Sequence, residues 1–175
     1  REQSRAFPGA AVNLAAEAPQ WLALCFALLL IAGAAEDAAR LRISNFIPLL
    51  ILLGGIVGIM IVGPQLAVWE NLVVFGGLLA VGTLLFAAGK LGGGDVKLFA
   101  ASGLWLDLEG GLRMLIAVLL TGGVLALLVL ALRRFGWSES ARSRLPLLQT
   151  GNGIPYGVAI AIGVLMTTAT SRPTP

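Results

Sequence analysis

The sequence predicts an all-α protein that crosses a membrane with about six helices. Composition is the first observation behind this. Of 175 residues, 58% are hydrophobic and only 12% charged, and the mean hydropathy is +0.93. A soluble domain carries about 25% charged residues. The second observation is the arrangement. Apolar residues fall in long blocks instead of at helical or strand spacing, and a spanning helix needs about 20 mostly apolar residues. The third is that no connection is long enough for a separate folded domain. Residues 1–175 therefore read as a single transmembrane domain.

Residues 1–19 are mixed and mildly polar, with Pro8 and Pro19, and read as a loop or interfacial segment. The chain begins at Arg1 without a Met, which is compatible with removal of an upstream segment. It contains no signal-peptide cleavage pattern. Apolar runs follow at Trp21–Ala35, Phe46–Gly63, Leu72–Gly89, Val96–Leu106, Leu112–Leu132 and Ile154–Ala169, the fourth being the shortest. Gly54, Gly55 and Gly58, and also Gly76 and Gly77, suit close helix–helix approach in lipid.

The connections set the orientation. Those after runs one, three and five hold Arg40, Arg42, Lys90, Lys97, Arg133, Arg134, Arg142 and Arg144, and the other side holds Arg1, Arg5, Arg113 and Arg172. The balance is 8 against 4, accounting for all 12 basic residues. The positive-inside rule places the first group in the cytoplasm and both termini outside. The segment 133–153 is then the largest cytoplasmic loop.

The composition excludes several chemistries. The chain has no histidine, which removes Ser-His and Cys-His nucleophiles, His-containing zinc sites and HExxH metalloproteases. Its one cysteine, Cys25, lies in an apolar run, cannot form an internal disulfide, and reads as a packing residue. Basic residues are spread between apolar runs and the net charge is only +3. They read as membrane-flanking anchors, and no nucleic-acid partner is expected. A Ser-Lys hydrolase built on Lys90 or Lys97 lacks a matching serine motif.

Carboxylates remain. Of nine acids, Glu2, Glu17, Glu70, Asp107, Glu109 and Glu139 lie on connections and read as solvated charges. Glu36, Asp37 and Asp95 end apolar helices on the predicted cytoplasmic side. Alone, either aspartate reads equally well as a charge reaching the headgroups or as a functional group. Context favours function. Asp95 follows Gly92, Gly93 and Gly94, and glycine permits φ > 0 or close approach of another chain. Irregular backbone at membrane depth is tolerated where it lines protein or a wet cavity. Two carboxylates on one such cavity form an aspartic-protease pair. The ionised member takes a proton from water, and the protonated member donates to the scissile carbonyl. Glu36 points about 100° away from its neighbour and reads as non-catalytic. Arg40 and Arg42 read as anchors.

The stretches AAEDAARLRISN at 34–45 and GGGDVKLFAA at 92–101 resemble the type IV prepilin peptidases, membrane aspartyl proteases of the GxGD type. The matching positions are Asp37, Asn45, Gly92, Gly94, Asp95 and Lys97. The stretch GIPYGVAIAIG at 153–163 is similar to the family's late motif, giving Pro155, Tyr156, Gly157 and Ala159. The likeness runs from about 21 to 165. Ser44 stands where the family has proline, and the paired CxxC motifs and inserted domain of the long, N-methylating members are missing. The chain looks like the short CpaA-type form that serves tight-adherence (Flp-type) pili. The resemblance implies a catalytic pair of Asp37 and Asp95, no cofactor and no metal. Gly92–Gly94, Lys97, Asn45, Pro155, Tyr156 and Gly157 would be supporting or substrate-binding residues. It also implies a prepilin substrate cut at the cytoplasmic face of a bacterial inner membrane, with the pilus assembly machinery nearby. For these supporting residues simpler readings stand beside it. Lys97 serves equally well as a membrane anchor, Asn45 as a helix cap, and Pro155 and Tyr156 as shapers of a helix start. Archaeal preflagellin peptidases share the two-aspartate plan. A small proton-coupled transporter and a non-catalytic assembly factor are the alternatives from other classes. A transporter's relay acids would lie nearer the midplane.

Cysteine labelling tests the topology. It is expected to place 38–45, 90–95 and 133–153 in the cytoplasm with both termini outside. Asp37 and Asp95 on opposite faces would rule out their pairing.

Overall fold

A computed structural model describes residues 13–62, 68–135, 149 and 153–171. Among these the fold is all helical. A short helix, α1 (Leu14–Glu17), precedes α2 (Gln20–Arg40), α3 (Phe46–Val62), α4 (Val68–Ala87), α5 (Gly93–Gly103), α6 (Leu108–Arg134) and α7 (Tyr156–Ser171). Three of them, α2, α4 and α6, are long and apolar enough to cross a membrane, and α3 and α7 are shorter apolar helices. Large apolar side chains such as Leu24, Leu28, Leu119, Leu120 and Leu127 stand fully outside the packed core. In water such a surface would drive aggregation, whereas in lipid it is the solvent-facing side. The chain is a polytopic membrane protein.

The short fourth run is the centre of the bundle. α5 has 11 residues and rises about 17 Å, roughly half the hydrocarbon core. It packs against α3, α4 and α7. Eight of its residues, Asp95 among them, are buried. Trp105, which follows it, is fully buried. Its ring stacks on Phe26 at 4.2 Å, and its Nε1 donates to the Ile51 carbonyl at 3.0 Å.

The glycines of α3 make this possible. A Cβ on Gly54 would sit 3.1 Å from the Trp105 ring, and one on Gly55 would sit 2.9 Å from Leu104. Gly76 and Gly77 behave otherwise. Nothing in the described chain lies within 4 Å of where their Cβ atoms would be. The close contacts of α4 are made instead by Gly82 on Val96 and by Val74 against Gly103 and Gly111. Hydropathy shows small residues but does not show which face of a helix finds a partner.

Three other departures have local causes. Within 1–19 the described part is helix α1, with Leu14 fully buried and the Ala15 N–H bonded to the Trp105 carbonyl. Residues 1–12 lie outside the described residues, as does most of the loop 133–153. Helix α2 continues past Ala35 to Arg40 because helix propagation does not require apolar residues. Leu41 ends it in the left-handed region at φ 52°, its N–H bonded to the Asp37 carbonyl. Cys25, read as a packing residue, is exposed on the apolar outer face.

Two acids read as solvated charges on connections do more, and Glu70 lies inside the first turn of α4. Asp107 caps α6 by accepting from the Gly110 N–H at 2.8 Å, and Glu70 accepts from the Leu108 N–H at 3.1 Å.

Gly55→Val is expected to lower the stability of the detergent-solubilised protein by about 1–3 kcal/mol through overpacking. Gly76→Val, whose side chain enters open space, is expected to leave it unchanged. Thermal unfolding of both variants checks the contrast.

Candidate active site

Asp37 is placed by the last full turn of α2, and Asp95 by the first turn of α5. Both are more than nine-tenths buried, at 3% and 8% exposure. A buried carboxylate needs donors. Asp37 takes the Gly157 N–H on its Oδ2 at 2.7 Å, and the Val158 N–H also faces it. Both N–H groups belong to the first turn of α7, where the Val158 N–H also bonds the Pro155 carbonyl at 3.2 Å, and the positive dipole end of the helix favours an anion. The same Gly157 N–H faces the Asp95 carboxylate, and Asp95 lies within the field of Asp37. One peptide group thus stands between the two acids.

Asp95 is the third residue of α5. Its Oδ2 reaches back to the N–H of Gly92, the residue before the helix, at 3.2 Å. That bond closes the helix start, as the acid of a capping box does. Its Oδ1 is buried and has no hydrogen-bond partner among the described residues. Both acids line a cavity of about 600 Å³ with Glu36, Arg40, Arg42, Ser44, Ile43 and the three glycines. That volume lies within the range of small-molecule and peptide-sized sites.

Of the two uses that the sequence allows the glycine run, positive φ and close approach, the structure shows the second. Gly92 is extended at φ −74°, and among the described glycines only Gly89 has a positive φ. What Gly94 provides is close approach. A Cβ there would lie 3.0 Å from both the Ile43 Cβ and the Ile43 carbonyl oxygen. Gly157 does the same from the other side. Its Cβ would meet the Ile43 Cδ1 at 2.7 Å and the Asp37 Oδ2 at 2.9 Å. Ile43 is therefore clamped between the starts of α5 and α7, and the loop after Asp37 is seated on both.

Two side chains hold that loop. Glu36 accepts the Ser44 N–H at 3.0 Å and lies 3.9 Å from Arg40. Lys97 donates to the Asn45 Oδ1 at 2.7 Å. Ser44 occupies the position where proline was expected, and a proline could not donate this bond. Glu36 thus acts on the loop and not on the acids. Lys97, two residues after Asp95 on α5, pairs with Asn45. Pro155, buried, precedes α7, and the Arg133 guanidinium donates to the Gly153 carbonyl at 2.9 Å. Tyr156 is half-buried and points away from the cavity, lining a separate groove.

The structure brings together Asp37, Asp95, Gly92–Gly94 and Gly157. It groups Lys97 with Asn45 at the loop. Sequence reasoning gave no role to Ile43, whose apolar side chain carries no chemical signal. It set Glu36 aside on helix geometry, which says where a side chain points but not what it reaches.

A profile of the type IV leader peptidase family matches residues 24–127, which include both aspartates. The chain belongs to the type IV leader peptidase family. No curated protein and no solved structure matches it. As a type IV leader peptidase it is a hydrolase of the membrane. The family match stops before Pro155–Gly157, so the link from Asp37 to α7 rests on the geometry alone.

Gly157→Ala is expected to lower peptidase activity about 100-fold, since displacing a reacting group by about 1 Å has an effect of that order. Its Cβ would collide with Ile43 and Asp37. Rates normalised to folded protein check it, and a wild-type rate would mean that the α7 contact does not position Asp37.

Proposed function

We propose that the protein is an aspartic endopeptidase that removes the leader of prepilins, with Asp37 and Asp95 as its catalytic residues. The observation that carries this reading is the shared cavity. Two buried carboxylates from different helices face one N–H, and one carboxylate oxygen is left unpartnered.

Hydrolysis by such a pair needs no covalent intermediate. A water between the acids gives a proton to the ionised carboxylate as its oxygen attacks the scissile carbonyl carbon. The protonated carboxylate gives its proton to the carbonyl oxygen, forming a gem-diol. On collapse one gem-diol hydroxyl returns its proton to the ionised carboxylate, the C–N bond breaks, and the amine leaves with the proton of the other carboxyl. In this reading Asp95, whose Oδ1 has no partner among the described residues, holds the water or the substrate carbonyl. Gly157 orients Asp37 through its N–H, and the Ile43 loop walls the cavity.

A prepilin substrate suits this site. Arg40 and Arg42 line the cavity, and Lys90, Arg133 and Arg134 lie at or just past the ends of α4 and α6, a basic bias that supports a cytoplasmic-face site in a bacterial inner membrane. A membrane-inserted precursor cut just before its apolar helix would present its junction at that depth. We read the substrate as an Flp-type prepilin, on the resemblance carried by Asp37, Gly92–Asp95 and Lys97, with assembly-machinery proteins as neighbours. The acids' position at the helix ends, away from the midplane, argues against a transporter relay.

Co-expression with an Flp-type prepilin tests this. Asp37→Asn and Asp95→Asn are each expected to abolish cleavage while the protein still inserts and folds. Glu36→Gln is expected to keep most activity. Substantial cleavage by either Asn variant would overturn the assignment.

A further inference from the structure

A second concavity lies outside the catalytic cavity. It is an apolar groove of about 830 Å³ between α4 and α6, floored by Phe99 of α5 and Ile160 of α7. The α4 wall carries Gly77, Val81 and Leu85, and the α6 wall runs from Leu108 to Ala126. That stretch of α6 rises about 27 Å, close to the roughly 30 Å of a hydrocarbon core. The groove is therefore as long as a spanning helix.

Its ends are chemically distinct. At one end Lys90, Leu91 and Tyr156 line it. Leu91 adjoins Gly92, whose N–H holds Asp95, and Tyr156 adjoins Gly157, whose N–H holds Asp37. Gly82, also in the lining, packs against Val96 next to Asp95. The residues at this end of the groove thus adjoin in sequence the two whose N–H groups hold the acids. Along its walls Gly77 and Gly123 have nothing within 4 Å of a would-be Cβ. Their smallness serves no contact inside the described chain, in contrast to Gly55, Gly82 and Gly111. In lipid, open glycines on facing walls let another helix backbone come close.

We propose that this groove seats the apolar helix of the substrate, with the junction to be cut lying at its Lys90–Tyr156 end. The proposal rests on the prepilin reading and names how that substrate is held. A lipid chain would fill an apolar groove anywhere on the bundle. A groove of spanning length whose end adjoins the residues that hold the acids fits a helix whose N-terminal junction is cleaved. Binding along the helix then contributes to catalysis at a distance from the reacting bond.

The test compares two substrates and three variants. The substrates are a full-length prepilin in membranes and a soluble peptide that spans the junction without the helix. Gly77→Leu and Gly123→Leu are expected to lower kcat/KM on the full prepilin by about tenfold or more through lost remote binding, with no change on the peptide. Gly76→Leu, on open surface outside the groove, is expected to match the wild type on both. In a Cys25→Ala background, Gly123→Cys is expected to form a disulfide with a cysteine in the prepilin helix, and Gly76→Cys is not. Wild-type kcat/KM on prepilin for both groove variants would overturn the proposal while leaving the peptidase reading intact. An equal loss on both substrates, or a Gly123→Cys homodimer in place of the prepilin adduct, would also overturn it. Failure of the wild type to cleave prepilin would overturn both readings.

Discussion

A carboxylate only 3% exposed must find its donors inside the chain, and Asp37 finds them at the start of the last helix. That contact ties α2 to α7 across 120 residues of sequence. It fixes the depth of Asp37 and brings the Gly157 N–H to face Asp95 as well. The rest of the site follows from it. Gly157 must lack a Cβ, the Ile43 loop must fit beneath it, and Gly94 must yield to the same loop from α5.

The central position of α5 is the second constraint. Its 11 residues leave its start inside the bundle, where free N–H groups are costly. Asp95 satisfies one of them with Oδ2 and leaves Oδ1 buried without a partner among the described residues. The acid is thus both the helix cap and the candidate reactive group. Trp105 at the far end anchors the same helix to α2 and α3.

Much of this was legible in the sequence. The long apolar blocks gave the all-α membrane fold, and the acids at helix ends gave Asp37 and Asp95. Other features were hidden for physical reasons. Hydropathy ended the first helix at Ala35, yet charged residues carry it to Arg40 and so set the register of Asp37. The GGGD run suggested positive φ or close approach; its use is close packing on Ile43, a partner that sequence could not name because the contact is distant along the chain. Glycines at 54–55 and 76–77 looked alike, and only the fold shows that the first pair is filled by Leu104 and Trp105 and the second stands open. Ser44 looked like a plain departure from proline. Its N–H bond to Glu36 shows a loop held by a different means.

The hydrogen bond from Gly157 to Asp37 is the claim on which the account turns, and the amide proton of Gly157 reports it directly. The chain has 23 glycines, so selective glycine labelling gives a tractable set of amide resonances in detergent. An N–H donating to a carboxylate makes a short, strong hydrogen bond, which moves its proton resonance downfield. The account predicts a downfield Gly157 amide that shifts upfield in Asp37→Asn and moves less in Asp95→Asn. A Gly157 resonance unchanged by Asp37→Asn would contradict it.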